Sequence, residues 1–173
     1  MRTRSGVPSV ERLRYNRQLE MQSQRQSTLA DLSSLYEEDF FEWTRRSAEL
    51  LRAGQLQQAD IEHIAEEIED MGKRDLRELN SRVRVLLIHL LKWQLQAEKR
   101  SRSWNDTIIC QRGEIVDVLK QSPSLRGKLR TELPDNYAMA MRRAINQTGL
   151  PLSRFPKECP FTVEQILDPE FLP

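Results

Sequence analysis

Glu67, Glu69 and His89 are the side chains of this sequence that could together do acid–base or metal chemistry. With 100° per residue on a helix, the two glutamates flank an apolar stripe on opposite sides, so each could reach a neighbouring helix. His89 has apolar neighbours and needs a polar partner, which either glutamate could supply. The pattern predicts either a catalytic or metal-binding site, or buried hydrogen bonds that stabilise the fold.

The spacing of these residues favours the structural alternative. The chain has only two histidines, so a zinc site with three histidines cannot form. His63 precedes its acidic neighbours, whereas the Glu-x-x-His pairs of helical di-iron proteins have the opposite order. Buried carboxylates and histidines more often serve the fold than an active site. We therefore expect no catalytic residue, no metal ligand and no cofactor.

A basic segment offers a second kind of site, for nucleic acid or an acidic partner. Lys99, Arg100 and Arg102 are followed by Trp104, and cations combined with a stacking ring are typical of single-strand binding. Trp104 also lies on the apolar stripe of its own helix, where it would anchor the core. The formal net charge of +1 is far from the strongly basic balance of nucleic-acid-binding domains. Nucleic-acid contact therefore stays an alternative.

Charge is segregated along the chain. Residues 1–30 hold six arginines against two glutamates and few large apolar residues, which predicts a disordered or loosely helical arm. Residues 60–70 hold six acidic residues and no Lys or Arg. Such segregation indicates charged helix faces that contact one another or a partner.

Helices must position these groups. A heptad pattern with alternating spacings of three and four residues marks a long helix, and its members are Leu76, Leu79, Val83, Leu86, Leu90, Trp93 and Ala97. Between Val83 and Leu91 the helix is apolar nearly all round, which predicts a buried central helix. The longest apolar stretch, Val85 to Leu91, is interrupted by His89 and is too short to span a membrane.

Capping and breaking residues place the other helix ends. One face over Tyr36 to Ala53 ends at Gly54, and Asp60 caps a helix whose predicted buried stripe is Ile61, Ile64, Ala65, Ile68 and Met71. Gly72 is expected to interrupt the chain before the long helix. The remaining predicted signals are Ser103 as a cap, Ser122-Pro123 as a helix start, Pro134 as a break or restart, and Thr162 as a final cap.

These elements predict an all-α fold: a single bundle of five to seven helices over residues 31–173, with a long central helix and an irregular Pro-rich C-terminal tail. The 173 residues, 38% hydrophobic and 31% charged, suit one domain. Cys110 and Cys159 are far apart and lack a CxxC partner, which favours a reducing cytoplasm.

Several blocks of sequence resemble domain-of-unknown-function family 29, an all-helical bacterial family abundant in cyanobacteria. The blocks are Asp60-Ile61-Glu62, Glu66 to Glu69, His89 to Trp93, Arg100 to Trp104, Gln111-Arg112, Ser122 to Leu125 and Phe155 to Pro160. The resemblance runs from about Leu35 to the C-terminus and implies a helical fold in the cytoplasm, with no agreed activity. Ala97-Glu98 departs from it, because the family usually has proline after Gln96, so the long helix is expected to run further here.

Three functions remain open at this point. The preferred one is an interaction or regulatory protein that binds another protein or itself through charged helix faces. The first alternative is an accessory protein that contacts RNA or DNA, or regulates a nuclease, through Lys99, Arg100 and Arg102. The second alternative is a metal-dependent enzyme at Glu67, Glu69 and His89.

Overall fold

The computed structural model describes the backbone of residues 9–173 and the side chains of residues 11–23 and 31–173. This part of the chain contains three 3₁₀ turns, no strand and six α-helices: α1 (Ser9–Glu38), α2 (Phe40–Arg52), α3 (Ile61–Leu95), α4 (Arg102–Gln121), α5 (Leu125–Thr148) and α6 (Val163–Leu167). The predicted all-α fold with a long helix is confirmed. None of the helices within the described residues combines the length and apolarity that crossing a bilayer requires.

The chain divides into two compact units, Met1–Asp70 and Met71–Pro173. The first unit contains α1, α2 and the start of α3, and the second contains the rest of α3 with α4, α5, α6 and the tail. Of the predicted Arg-rich arm, residues 9–30 belong to α1, whereas residues 1–8 lie outside the described part of the chain.

The core of the second unit is built around the centre of α3. Leu86 and Leu91 are completely buried, as a helix that is apolar on every side requires. The other helices and the tail pack on them through Ile108, Ile115, Leu119, Leu129, Tyr137, Ala140, Ala144, Phe155, Phe161, Val163 and Ile166. The predicted burial of Val83–Leu91 is confirmed, and His89 within this segment is half-buried.

One buried arginine fixes the path of the tail. The Arg112 side chain on α4 donates hydrogen bonds to the main-chain oxygens of Ile166 at 3.0 Å, Pro169 at 3.1 Å and Phe171. Burial lowers the pKa of Arg112, but a guanidinium remains charged at neutral pH. The three carbonyl contacts compensate for its desolvation, and they hold the irregular tail against α4.

A chain of side-chain hydrogen bonds joins α3 to α5. Arg84 Nε donates to Asn136 Oδ1 at 2.7 Å, and Asn136 Nδ2 donates to Asn80 Oδ1 at 2.6 Å. Asn80 Nδ2 in turn donates to Glu132 Oε2 at 2.6 Å. Both amides are buried and satisfied, so this network fixes how the two helices align.

The two helix breaks predicted at Gly72 and Pro134 are wrong. α3 continues through Gly72 and α5 continues through Pro134. A single glycine costs a helix only about 1 kcal/mol relative to alanine. Ending the helix there and nucleating a new one would cost more. Pro134 is tolerated because Leu129 and Tyr137, on either side of it, are buried in the core and hold α5 in place.

Several predicted helix ends shift by a few residues. Ser101, not Ser103, caps α4, because its hydroxyl accepts the Trp104 amide. Ser124 precedes α5, whereas Ser122 ends α4. α3 stops at Leu95 rather than running further.

The first unit also departs from prediction at one junction. Tyr36 belongs to the end of α1, and α2 starts afresh at Phe40 because Asp39 accepts the Glu42 amide at 3.0 Å. Gly54, with φ of 70°, ends the α2 segment in the left-handed conformation as predicted. Thr162 caps α6 as predicted, in a reciprocal pair with Gln165.

Candidate functional site

Glu67 contacts a tyrosine of the first unit. The Tyr36 hydroxyl at the end of α1 donates to Glu67 Oε1 at 2.8 Å, and this hydrogen bond raises the pKa of Tyr36 to about 12. The Tyr36 ring also stacks on the imidazole of His63, with 4.0 Å between ring centroids. The histidine nearest to Glu67 in the first unit is therefore His63, one helical turn earlier on α3.

His63 is oriented by a buried carboxylate. His63 Nδ1 lies 2.7 Å from Asp60 Oδ2, and Ser33 Oγ donates to the same oxygen at 3.0 Å. The hydrogen bond to Asp60 raises the pKa of His63. Burial raises the pKa of Asp60, but the hydrogen bonds from His63 and Ser33 outweigh it and leave that pKa below its ordinary value. We call Ser33, Tyr36, Asp60, His63 and Glu67 the Tyr36–His63 cluster.

The surroundings of the Tyr36–His63 cluster are acidic. The charges of Glu66 and Glu37 add to the rise in the pKa of His63. Within the cluster itself, Asp60 and Glu67 carry two further carboxylates. This end of the first unit therefore has a negative potential that attracts cations.

Aromatic rings extend the Tyr36–His63 cluster onto α2. Tyr36 packs edge-on against Phe40 and Trp43, at centroid distances of 5.8 and 5.0 Å. Trp43 Nε1 and the hydroxyl of Ser47, one turn further along α2, are buried and have no hydrogen-bond partner among the described residues. Two buried polar atoms of the first unit thus lack a hydrogen-bond partner among the described residues.

The first unit exposes an apolar row that the sequence pattern predicts to be buried. Ile61 is 44% exposed, Ile68 is 64% exposed, and Ala65 between them is also exposed. The prediction of a buried stripe is wrong here: Ile64 is half-buried, whereas Met71 further along α3 is exposed as well. Periodicity gives the apolar side of a helix but does not show which chain covers it.

Carboxylates accompany this apolar row. Glu62, Glu66 and Glu69 are exposed on α3, and at 100° per residue they follow the row along one side of the helix. We call Ile61, Ala65 and Ile68, with these three glutamates, the docking face. Other large apolar side chains of the first unit are exposed too, notably Phe41 at 78% and Leu56 at 52%.

His89 belongs to the second unit, whereas Glu67 and Glu69 belong to the first. Its Nδ1 is 2.9 Å from the carbonyl oxygen of Val85, one turn earlier on α3, and burial lowers the pKa of His89. Glu67 precedes it in the sequence by 22 residues. The described residues include no group of three or more His, Cys, Asp or Glu side chains that could hold a metal ion.

Within the basic segment, Arg100 forms hydrogen bonds with the main chain of the second unit. Arg100 Nε donates to the carbonyl oxygen of Trp93 at 2.9 Å, and its Nη2 donates to the main-chain oxygen of Pro173 at 3.2 Å. Its guanidinium also lies over the Trp93 ring. Lys99 and Arg102 are exposed, but Trp104 is covered by Lys92, whose Nζ is 4.3 Å from the ring centroid. Lys92 therefore occupies one face of the Trp104 ring.

Sequence reasoning missed His63, Asp60 and Tyr36 as site residues. The signal for the first two was present, because residues three apart on a helix lie on one face, and Asp60 and His63 have that spacing. The contact of Tyr36 with Glu67 spans 31 residues and had no local signal. Chemically, the cluster holds one imidazole and two carboxylates, each of which contacts a neighbouring side chain of the cluster.

Comparison with known proteins gives a family but no close relative. A search of curated proteins and a search of solved structures found no match. The family model described as "Domain of unknown function DUF29" matches residues 35–172, which is most of the chain and includes the docking face, His89 and Arg100. The chain belongs to the DUF29 family.

Proposed function

We propose that this protein is a helical interaction module whose first unit binds a basic, apolar helix through the docking face. The observation that carries the proposal is the exposure of Ile61 and Ile68 on a helix side where the sequence pattern requires burial. Exposed apolar side chains bordered by polar ones are typical of protein-binding surfaces. The two separated cysteines suit a protein that works in the cytoplasm.

The charge of the docking face selects the partner. Glu62, Glu66 and Glu69 border the apolar row, and Glu37 lies close enough to affect the pKa of His63. A partner helix with Lys or Arg beside its apolar residues would match both features. Complementary charges of this kind mainly set specificity and association rate, while apolar burial supplies affinity.

The chain itself carries such a helix. Every side chain of residues 11–23 on α1 is exposed, including Leu13 at 68% and Leu19 at 46%. Arg12, Arg14 and Arg17 lie in the same segment. An α-helix exposed on all sides lacks the tertiary packing that gives most helices their stability. We therefore assign this segment of a second copy as the occupant of the docking face, so that two copies exchange equivalent contacts.

Nucleic-acid binding through the basic segment has weaker support. Arg100 is engaged with Trp93 and Pro173, and Trp104 is covered by Lys92. Lys99 and Arg102 remain exposed, and these two cations could make only two phosphate contacts. For a metal-dependent reaction at Glu67, Glu69 and His89, the described residues offer no group of three or more His, Cys, Asp or Glu side chains that could hold the metal.

A charge swap tests the proposal. One variant reverses the docking face with Glu62→Arg and Glu66→Arg, and the other reverses the α1 segment with Arg12→Glu, Arg14→Glu and Arg17→Glu. Sedimentation velocity in low salt should show a dimer for the natural chain and a monomer for each variant alone. An equimolar mixture of the two variants should form a dimer again, because both exchanged contacts then pair opposite charges.

A matched control places the same charge change elsewhere. Glu98→Arg with Asp106→Arg reverses two exposed acidic residues of the second unit, and this variant should dimerise like the natural chain. A natural chain that stays monomeric at all concentrations would contradict the proposed occupant. A dimer that both charge-reversed variants still form would contradict the docking face itself.

A further inference from the structure

A cleft in the second unit lies between α5 and the tail. It encloses about 480 Å³ and is lined on the α5 side by Leu133, Tyr137 and Met141, and on the tail side by Cys159 and Phe161. This volume lies within the range of about 300–1,000 Å³ that is typical of small-molecule sites. All its lining residues belong to the second unit, so the cleft is independent of the docking face.

Fixed anchors keep the cleft open. Phe155 and Phe161 are buried at the two ends of the tail segment that crosses α5. The Tyr137 hydroxyl donates to the carbonyl oxygen of Pro156 at 2.6 Å, and the Cys159 thiol donates to the carbonyl oxygen of Phe161 at 3.4 Å. The tail is thus held at both ends while residues 157–160 bridge the surface of α5, so the cleft is formed before any ligand binds.

The floor of the cleft is apolar and uncharged. Leu133, Tyr137 and Met141 follow each other at four-residue spacing, so they lie on one side of α5. Burial raises the pKa of Tyr137 to about 12 and also raises the pKa of the Cys159 thiol. Both groups are therefore neutral at physiological pH, and the floor favours an aliphatic or aromatic ligand body.

The rim of the cleft carries more positive than negative charge. Arg130 and Lys157 line it together with a single acidic residue, Glu158. Arg130 pairs with Glu164 at 3.0 Å, which offsets part of its charge, so Lys157 is the main cation of the rim. Lys157 is exposed and forms no ion pair among the described residues. An ammonium beside an apolar floor is the arrangement that an amphiphilic anion requires.

We infer that this cleft binds a small amphiphilic carboxylate, with its apolar body on Leu133, Tyr137 and Met141 and its carboxylate beside Lys157. Two features make the site specific. The floor selects a hydrocarbon or aromatic body of limited size, because the cleft holds only about 480 Å³. The rim selects the sign of the charge, since a cation of the same shape would meet Lys157 and Arg130.

Decanoate is a suitable probe for this site. Isothermal titration of the full chain, well below the micelle concentration of decanoate, should give one site per chain with a Kd of about 1 mM or lower. Decylammonium, which has the same chain and the opposite charge, should bind at least fivefold more weakly. Equal affinity for the two probes, or no saturable binding of decanoate, would overturn the inference.

Three variants locate the binding. Met141→Trp fills the cleft and should abolish decanoate binding, whereas Lys157→Glu should weaken it about fivefold and favour decylammonium. Lys128→Glu is the matched control, because Lys128 is an exposed lysine of α5 outside the cleft, and it should bind decanoate like the natural chain. Thermal unfolding checks that each variant is folded. Undiminished binding to folded Met141→Trp would place the probe elsewhere and overturn the inference.

Discussion

Tyr36 and His63 stack nearly parallel, with an interplanar angle of 20° between rings that lie on α1 and α3. The contact joins the hydrogen bond of Tyr36 with Glu67 to that of His63 with Asp60. One aromatic pair thus connects α1 to the start of α3 in the first unit. It also orients the acidic groups beside the docking face.

The Asp60–His63 pair makes the stability of the first unit depend on pH. The pKa of His63 is raised on folding, so its contribution is complete below about pH 6.5, the ordinary value, and is lost as the pH rises through the folded-state pKa. The pKa of Asp60 is lowered, so its contribution is present above about pH 4 and is lost as the pH falls through the folded-state pKa. The pair therefore stabilises most between about pH 4 and pH 6.5.

Replacing His63 tests this dependence. We expect His63→Gln to lower the free energy of unfolding more at pH 5.5 than at pH 8, measured by urea denaturation at both values. NMR titration of the natural chain should give His63 a pKa above the ordinary value and His89 a pKa below it. An equal loss of stability at both pH values would show that the imidazole is not paired with Asp60.

Arg112 should be essential for the position of the tail. We expect Arg112→Met to lower the free energy of unfolding by about 3 kcal/mol, because three main-chain oxygens lose a charged donor. Arg126→Met, at an exposed position on α5, serves as the control and should change stability by less than about 0.5 kcal/mol. Tail release would appear as faster hydrogen exchange in α6, and unchanged exchange there would argue against this role.

Ser47 should be dispensable for folding. Its hydroxyl is buried without a hydrogen-bond partner among the described residues, so Ser47→Ala removes a desolvation cost and should raise the free energy of unfolding by up to about 1 kcal/mol. Ser122→Ala gives the comparison, because that hydroxyl donates to Asp75 at 2.9 Å and its loss should not stabilise. Chemical denaturation measures both, and a clear destabilisation by Ser47→Ala would indicate a polar partner.

Two apolar residues of α3 should behave in opposite ways. We expect Leu87→Ala to cost about 3–5 kcal/mol of unfolding free energy, because Leu87 is completely buried in the core of the second unit. Ile68→Ala should change stability by less than about 0.5 kcal/mol, since Ile68 is 64% exposed. In sedimentation velocity, however, Ile68→Ala should weaken the dimer. A large loss of stability from Ile68→Ala would indicate that Ile68 is buried, as the periodicity predicts.

Hydrophobic periodicity was sufficient for the helices and for the buried centre of α3, because burial on all sides leaves Leu86 to Leu91 apolar in sequence apart from His89. It was not sufficient at Ile61 and Ile68, since the same pattern arises whether the covering helix belongs to this chain or to another. The helix breaks predicted at Gly72 and Pro134 were wrong because local helix propensity is weak compared with tertiary packing. The site residues required contacts between distant segments: Tyr36 reaches Glu67, and Arg112 reaches the tail, without any signal in local spacing.

Disulfide trapping between two copies tests the docking face most directly. Cys110, which is exposed, is first replaced by serine, and a Leu13→Cys chain is mixed with an Ile68→Cys chain under mild oxidation. We predict a rapidly formed disulfide between the two chains, well above that of a control pair in which Leu152→Cys, exposed on the second unit, replaces Ile68→Cys. Equal trapping in both pairs, or none in either, would contradict docking of α1 on the Ile61–Ile68 row.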